Sequence, residues 1–548
     1  MASTTVFTAR KIITMDAARP TANAVAVRDG KIVGVGTEAE LATLPDAAMD
    51  RQFAAKVLMP GFIEGHAHVV TGSIWDHVYL GYFDRVDPRG VVWSGAKTMD
   101  AVVERLKEAN AKSGASGKPL MGWGFDPIFF NGERMEVKHL DQVSRARPVL
   151  VIHQTFHTLN VNTAVLDAAG MTQSAPVEGL HLGPDGKPTG ELREFAIMQL
   201  AMAVVKADLM SVQIEDRNVW DYARIANRTG TTTTCDMASS LSDATVDVFI
   251  RVTNDQEFPV RLVPLLAARS GDPEANIRRL PGLTEQSNAK LRLGRVKIIT
   301  DGAITGFTAR LLPPGYYNGA PNGQWNMTGD ELRRQVEAYH RAGYQLHIHA
   351  NGDEASAMTL DVLEEVLPAN PKPGQRHTMQ HCQLMDEAQF RRAKALGIVV
   401  NIFVNHIYYY GDEHYRQTLG PERSAKMDAA ATALRVGVPV AIHSDSPVTP
   451  LAPLFTAWES INRRTAGGLQ LGPEEGLTLD QALYAITMGA AYSLQLEDEI
   501  GSIVDGKLAD FTVLEDDPYA VGPAKLKDIP IWGTVVDGKP FPVQAVTS

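Results

Sequence analysis

At 548 residues the chain is too long for one compact core, so two or three lobes are expected. An apolar fraction of 44% and a charged fraction of 21% are ordinary for a globular protein, and a net charge of -12 without long runs of one sign argues against a nucleic-acid surface. Cys235 and Cys382 are too few for a disulfide framework, no basic-then-apolar leader follows Met1, and no apolar run is as long as a membrane span, so a cytoplasmic location is expected.

The chain opens on β structure. Residues 6–15 and 24–35 are short apolar runs, and Asp29-Gly30 is a hairpin signal within the second. A similar unit closes it: residues 503–504 and 511–514 flank Asp505-Gly506-Lys507, and residues 533–536 precede Asp537-Gly538-Lys539. Neither end has enough strands to stand alone, so residues 1–56 and 492–548 are expected to pair into one composite β-sandwich. Between them strand and helix alternate. Eight candidate strands at 57–63, 232–236, 260–266, 295–299, 344–349, 377–381, 398–403 and 438–443 predict an α/β fold, a parallel TIM-like (β/α)8 barrel. Thr328-Gly329-Asp330-Glu331 is a capping box opening a helix over 332–342 that Gly343 stops, and Thr478-Leu479-Asp480-Gln481 opens another. Roughly 170 residues separate the first candidate strand from the second, too many for one connection. Residues 81–200 are therefore expected to form an inserted subdomain, leaving 57–80 and 201–491 to the barrel. Within the insertion, residues 149–152 read as a strand and Asp185-Gly186-Lys187-Pro188-Thr189-Gly190 as a hairpin turn.

Ionisable residues collect where these strands hand over to loops, and in a (β/α)8 barrel such ends converge on the active site. His66 and His68, two apart on a strand, point to one face and can reach one ion at ~2.0–2.1 Å; two histidines satisfied by loop hydrogen bonds are the alternative. Lys297 sits in an apolar strand, where its charge is costly unless removed or paired. Carbamylation by carbon dioxide would make it an anionic oxygen ligand able to bridge two metals; the other reading is a lysine that snorkels or pairs with Asp301. The later members of the pairs His347/His349 and His377/His381 lie nearer the mouth. His349 and His381 thus fit a second metal or a substrate oxyanion, while His347 and His377 read as structural. Asp445 follows the last strand, where it can ligate a metal and take a proton from a bound water whose pKa falls towards ~7, or cap a helix.

In this order the residues resemble the amidohydrolase superfamily. The longer strings narrow the likeness to its YtcJ-like branch, which includes N-substituted formamide deformylases. They are Met59-Pro60-Gly61-Phe62-Ile63-Glu64-Gly65-His66-Ala67-His68, Val296-Lys297-Ile298-Ile299-Thr300-Asp301-Gly302-Ala303, His349-Ala350-Asn351-Gly352-Asp353, Arg376-His377-Thr378-Met379-Gln380-His381-Cys382-Gln383 and Ser444-Asp445-Ser446-Pro447-Val448. Shorter matches are Gly122-Trp123-Gly124-Phe125-Asp126, His157-Thr158-Leu159-Asn160 and Gly190-Glu191-Leu192-Arg193-Glu194. The resemblance covers almost the whole chain. It implies one or two divalent metal ions, zinc foremost, held by His66, His68, Lys297, His349, His381 and Asp445, with Asp445, His381 and His349 as the catalytic groups. Gln380 stands where the family often has an acidic residue and Asn351 where an apolar one is usual; neither departure removes a ligand.

The resemblance implies hydrolysis of a C–N bond of amide or formamide type through a metal-activated water. An esterase or carbamate hydrolase and a deaminase are rivals on the same barrel. Deaminases usually carry a glutamate three residues after a metal histidine, where this chain has Gly352 or Ala350. A non-catalytic binding or regulatory barrel is a rival of another class, against which the complete ligand set argues. Aromatic clusters at Trp123, Phe125, Phe129 and Phe130, at Tyr316, Tyr317 and Trp325, and at Phe403, Tyr408, Tyr409 and Tyr410 point to a small substrate with an apolar or aromatic body. Trp123, Phe125, Asp301 and Tyr317 are the expected substrate contacts. The expected partners are that substrate and a second copy of the chain in a homodimer, with no nucleic acid and no membrane.

Overall fold

Eight largely buried strands pair in parallel, each with the next. They are β1 (Phe62–Glu64), β2 (Thr231–Ser239), β3 (Arg261–Ala267), β4 (Arg295–Ile299), β5 (Leu346–Ala350), β6 (Thr378–His381), β7 (Val399–Ile402) and β8 (Val440–Ile442). The computed structural model describes residues 3–113, 118–130, 132–171, 179–206, 214–268 and 271–544. The alternation of strand side chains divides the sheet into two faces. Val296, Ile298, Leu346, Ile348, Val400 and Ile402 join one large apolar cluster with the surrounding helices. The intervening positions, Lys297, His347, His349, Gln380 and Asn401, face the other way and are all buried.

The sheet curls until the segments beyond its edge strands meet. Ala67 bridges Ser446, the His68 N–H donates to the Ser446 carbonyl at 2.8 Å, and the Asp445 N–H donates to the His66 carbonyl at 3.1 Å. The C-terminal ends of β1 and β8 are thereby side by side, which positions the site. The helix Gly329–Ala342 carries the expected Thr328 cap and ends at Gly343 in the left-handed region (φ 89°), where glycine carries no Cβ penalty. The helix Leu479–Ala485 opens on the Thr478/Gln481 capping box.

The first expected strand, 57–63, is two strands. Val57–Pro60 runs parallel to Thr4–Ile13 and antiparallel to Phe511–Leu514, and only after Gly61 does the chain enter β1. The apolar pattern is continuous, but Pro60 has no N–H to give a ladder. A Cβ on Gly61 would lie 2.0 Å from Thr232 Oγ1, so the crossing between sheets needs glycine. Strands from both chain ends join in order Lys539–Pro542, Ile531–Val536, Phe511–Leu514, Val57–Pro60, Thr4–Ile13, Thr21–Arg28 and Lys31–Gly36, with Ala47–Asp50 paired to Thr4–Ile13. Strands from the two chain ends thus pair into one hydrogen-bonded sheet. A third sheet takes Leu180–Leu182, Pro188–Arg193, Thr158–Val161, Val149–His153, Leu120–Phe125 and Val78–Tyr79 in that order, with the expected hairpin between its first two strands. Among the described residues no helix is long and apolar enough to cross a membrane.

Candidate metal centre and active site

All six residues expected to hold metal are buried or half-buried around the C-terminal ends of β1, β4, β5, β6 and β8. Asp445 Oδ1 lies 3.2 Å from His68 Nε2 and 3.5 Å from His66 Nε2, and its Oδ2 lies 3.7 Å from His381 Nδ1. Lys297 Nζ is 3.4 Å from His66 Nε2, and the His349 and His381 rings are 4.3 Å apart. Two triplets, His66-His381-His443 and His66-His68-Asp445, bring one ligand atom per residue within 4.8 Å of one another. His443 was not among the expected ligands, although His443-Ser444-Asp445 repeats the two-residue spacing of His66 and His68. Its ring stacks on His66 at 4.5 Å. His381 (φ 71°) and Asp445 (φ 52°) both hold left-handed backbone, a conformation that non-glycine residues keep only where the surroundings enforce it.

The donor set fits a divalent cation. Both ring nitrogens of His381, both of His443 and Oδ1 of Asp445 are buried with no hydrogen-bond partner among the described residues, whereas buried polar atoms are ordinarily paired. Burial holds His66, His349, His381 and His443 well below the usual histidine range, helped by the nearby Lys297, so they are neutral imidazoles, the form that ligates. Burial likewise brings Lys297 down to about 7 despite the opposing charge of Asp445. The pairing of Lys297 with Asp301 is not formed. Asp301 instead accepts the backbone N–H groups of Arg310, Asn351 and Gly352, each at 3.0 Å, and its Oδ1 lies 3.5 Å from His349 Nε2. Burial lifts Asp301 to about 7 against those three donors. Glu64 ties β1 to the loop after β8 by accepting from the Ser444 hydroxyl at 2.6 Å and from the His66 N–H at 3.2 Å. His377 and His340 form a structural pair: the Leu346 N–H donates to His377 Nδ1, so His377 Nε2 carries the proton given to His340 Nδ1 at 3.0 Å.

A small cavity of about 30 Å³ opens beside Asp445 and His349. Thr155 and His157 form one wall, Ala303-Ile304-Thr305 after β4 another, and Phe403, His406 and Tyr410 a third.

The amidohydrolase family model matches residues 55–542. The chain belongs to the amidohydrolase family. YtcJ of Bacillus subtilis is 26% identical to it over 533 residues, covering 94% of this chain and 95% of its own. The N-substituted formamide deformylase of Arthrobacter pascens is 27% identical over 549 residues, 96% of each chain. The crystal structure of an uncharacterized metal-dependent hydrolase from Pyrococcus horikoshii superposes with a TM-score of 0.71 at 21% identity, covering 96% of this chain and 99% of that one, a likeness of fold.

The expected substrate contacts of this amidohydrolase distribute unevenly. Asp301 is beside His349. Trp123 and Phe125 do not line the cavity: Trp123 packs against Trp75 and Tyr79 at 5.0 and 4.9 Å in an apolar cluster that the insertion shares with Phe403, Tyr410 and Val448, and Phe125 packs against Phe130 at 4.9 Å in a second cluster. Aromatic bulk there fills apolar cores behind the cavity. Tyr317 is 62% exposed and lies against Gly420, outside the cavity lining. Phe403 and Tyr410, from the third aromatic cluster, are the ones that reach the cavity.

His157 and Glu194 are the main residues that sequence reasoning left without a role. Antiparallel pairing of Thr158 with Arg193 sets them side by side, and the His157 Nδ1–H donates to Glu194 Oε2 at 3.0 Å. Burial pulls His157 down, but the Glu194 charge and hydrogen bond, with Asp301 and Asp445 beyond, lift it above the usual histidine value. Glu194 itself holds φ 69°. Both lie in strings that match the family, which was the available signal.

Proposed function

We propose that this amidohydrolase cleaves an amide- or formamide-type C–N bond in a small substrate with an apolar or aromatic body. The site is the mouth of a closed (β/α)8 barrel, and zinc is the ion that suits its imidazole and carboxylate donors. The observation that carries this reading is the close approach of His66, His68, Lys297, His349, His381 and Asp445, two of which, His349 and Asp445, line the cavity, with buried ring nitrogens left unpaired. A bound divalent ion there would polarise a carbonyl and lower the pKa of water.

The chain's own residues do the rest. Asp445, within 3.2–3.5 Å of two histidines, takes a proton from the attacking water and returns it to the departing nitrogen. His381 and His349 steady the charge that develops on the acyl oxygen. Lys297, whose amine burial brings down to about 7 so that part of it is neutral at that pH, can add carbon dioxide: an N–C bond forms, a proton leaves, and an oxygen ligand results. Ile304, Phe403 and Tyr410 give the substrate body apolar walls, and the likeness to a formamide deformylase over both full lengths supports a small acyl group.

The test is a panel of N-substituted formamides, N-acyl amines and aryl esters, given to protein stripped by chelation and then reloaded with zinc. Formamide or amide turnover that chelation abolishes and zinc restores is expected. Turnover of esters alone would replace the C–N reading with an esterase, and full activity in metal-free protein would remove the metal from the mechanism.

A further inference from the structure

Behind the ligand candidates, a chain of polar groups joins β1, β5, β6 and β7. It begins at the Gly65 carbonyl, which can only accept. The Asn401 side-chain atom 3.1 Å from that carbonyl must therefore be its amide nitrogen, and the same nitrogen gives its second proton to Gln380 Oε1 at 3.0 Å. This orients Gln380 without ambiguity. Its oxygen faces His66 and its nitrogen faces His347. Oε1 lies 2.7 Å from His66 Nδ1, which must then carry a proton, and Nε2 donates to His347 Nδ1 at 2.8 Å, which must not. His66, His347, Gln380 and Asn401 are each at most 1% exposed, so the orientations hold without bulk water as an alternative partner. An imidazole protonated on Nδ1 carries its lone pair on Nε2. In His66 that is the atom facing Asp445 and Lys297.

We infer that Gln380 is a positioning residue for the metal: anchored through Asn401 to the Gly65 carbonyl, it locks His66 in the tautomer that ligates through Nε2. The inference rests on the metal-binding reading of His66. Its second consequence is electronic. A carboxylate accepting from Nδ1–H would make the imidazole more basic and the ion more tightly held, whereas the neutral amide of Gln380 leaves the ligand weaker and the ion more electron-poor.

The test needs no turnover. Metal-free protein labelled with 15N-histidine is examined by NMR, with the His66 signals assigned by their loss in His66→Ala, and zinc affinity is measured by competition with a chromophoric chelator. Wild-type His66 is expected to carry its proton on Nδ1 and to leave Nε2 bare. Gln380→Leu should lose that preference and bind zinc about 10–100-fold more weakly. Gln380→Glu retains an acceptor for Nδ1–H, so it should keep the tautomer and bind zinc at least as tightly as wild type, which also covers the case in which the leucine variant fails to fold. A His66 protonated on Nε2, wild-type affinity in Gln380→Leu, or an equal loss in both variants would overturn the role of Gln380 while zinc binding itself stands. Failure of wild type to bind zinc would overturn the metal reading and this role together.

Discussion

Asp445 is the residue on which geometry and chemistry press hardest. Its carboxylate reaches three histidines from β1 and β6, its backbone is held at φ 52° by the bond from its N–H to the His66 carbonyl, and one oxygen has no hydrogen-bond partner. Ligation alone and proton transfer make different demands on it. Asp445→Asn preserves size and one oxygen donor but cannot take a proton. Turnover should fall by about 10²–10⁴-fold, the usual worth of a positioned acid–base group, while most of the zinc measured by mass spectrometry stays bound. Loss of metal in proportion to activity would reduce Asp445 to a ligand, and near-normal turnover would move the proton transfer to another group.

At the scale of elements, the insertion is what holds the Asp445 loop. Arg85, buried beneath the hairpin of Arg85–Val86 and Val92–Trp93, donates to the Pro447 carbonyl at 2.8 Å, and Gln154 donates to the Val448 carbonyl at 2.5 Å. Trp123 lies under the Arg85 guanidinium at 5.7 Å, so an aromatic residue that does not line the cavity still supports the site through this arginine. Arg85→Met fills the same volume and releases the loop. A displacement of ~1 Å at a reacting group can cost about 10²-fold, so turnover should drop towards that extent with zinc content and fold retained. Unchanged kcat in a folded, zinc-loaded Arg85→Met would show that the loop needs no support from the insertion.

The same elements show what was legible beforehand. Strand β4 stands where the apolar run predicts it, and His66, His68, Lys297, His349, His381 and Asp445 meet because period-two alternation puts them on the inner face or just beyond strand ends. The break at Gly61 was hidden because both halves of the run are apolar, and sheet membership depends on partners hundreds of residues away. His157 and Glu194 meet only through the pairing of two insertion strands, which local pattern does not encode. Tyr317 is aromatic like Phe403, but residue type does not tell which loop residue turns inward.

For the molecule as a whole, the question is what fastens the terminal sheet to the curled parallel one. Covalent crossing at Gly61 is accompanied by a polar joint: the Phe62 N–H donates to Thr512 Oγ1 at 3.0 Å, and that hydroxyl donates to the Gly230 carbonyl at 2.5 Å. The charged fastener is Arg261 at the start of β3, 1% exposed, with Nη2 at 3.1 Å from Asp510 Oδ2 and 3.0 Å from Asp537 Oδ1. Burial holds Asp510 above the usual aspartate value even beside Arg261, so its charge depends on that cation. Arg261→Met would leave a buried carboxylate unpaired, a loss that costs about 3–5 kcal/mol in comparable pairs. The site lies at the opposite, C-terminal ends of the strands. Denaturant unfolding should therefore shift to a markedly lower midpoint, while the folded fraction binds zinc as wild type does. Asp510→Asn combined with Arg261→Met removes the stranded charge and should recover part of the loss. No change in midpoint for the single variant would mean that Asp510 simply takes up a proton and that apolar packing carries the joint. A parallel fall in zinc affinity would instead mean that the two sheets behave as one mechanical unit, reaching from the chain ends to His66.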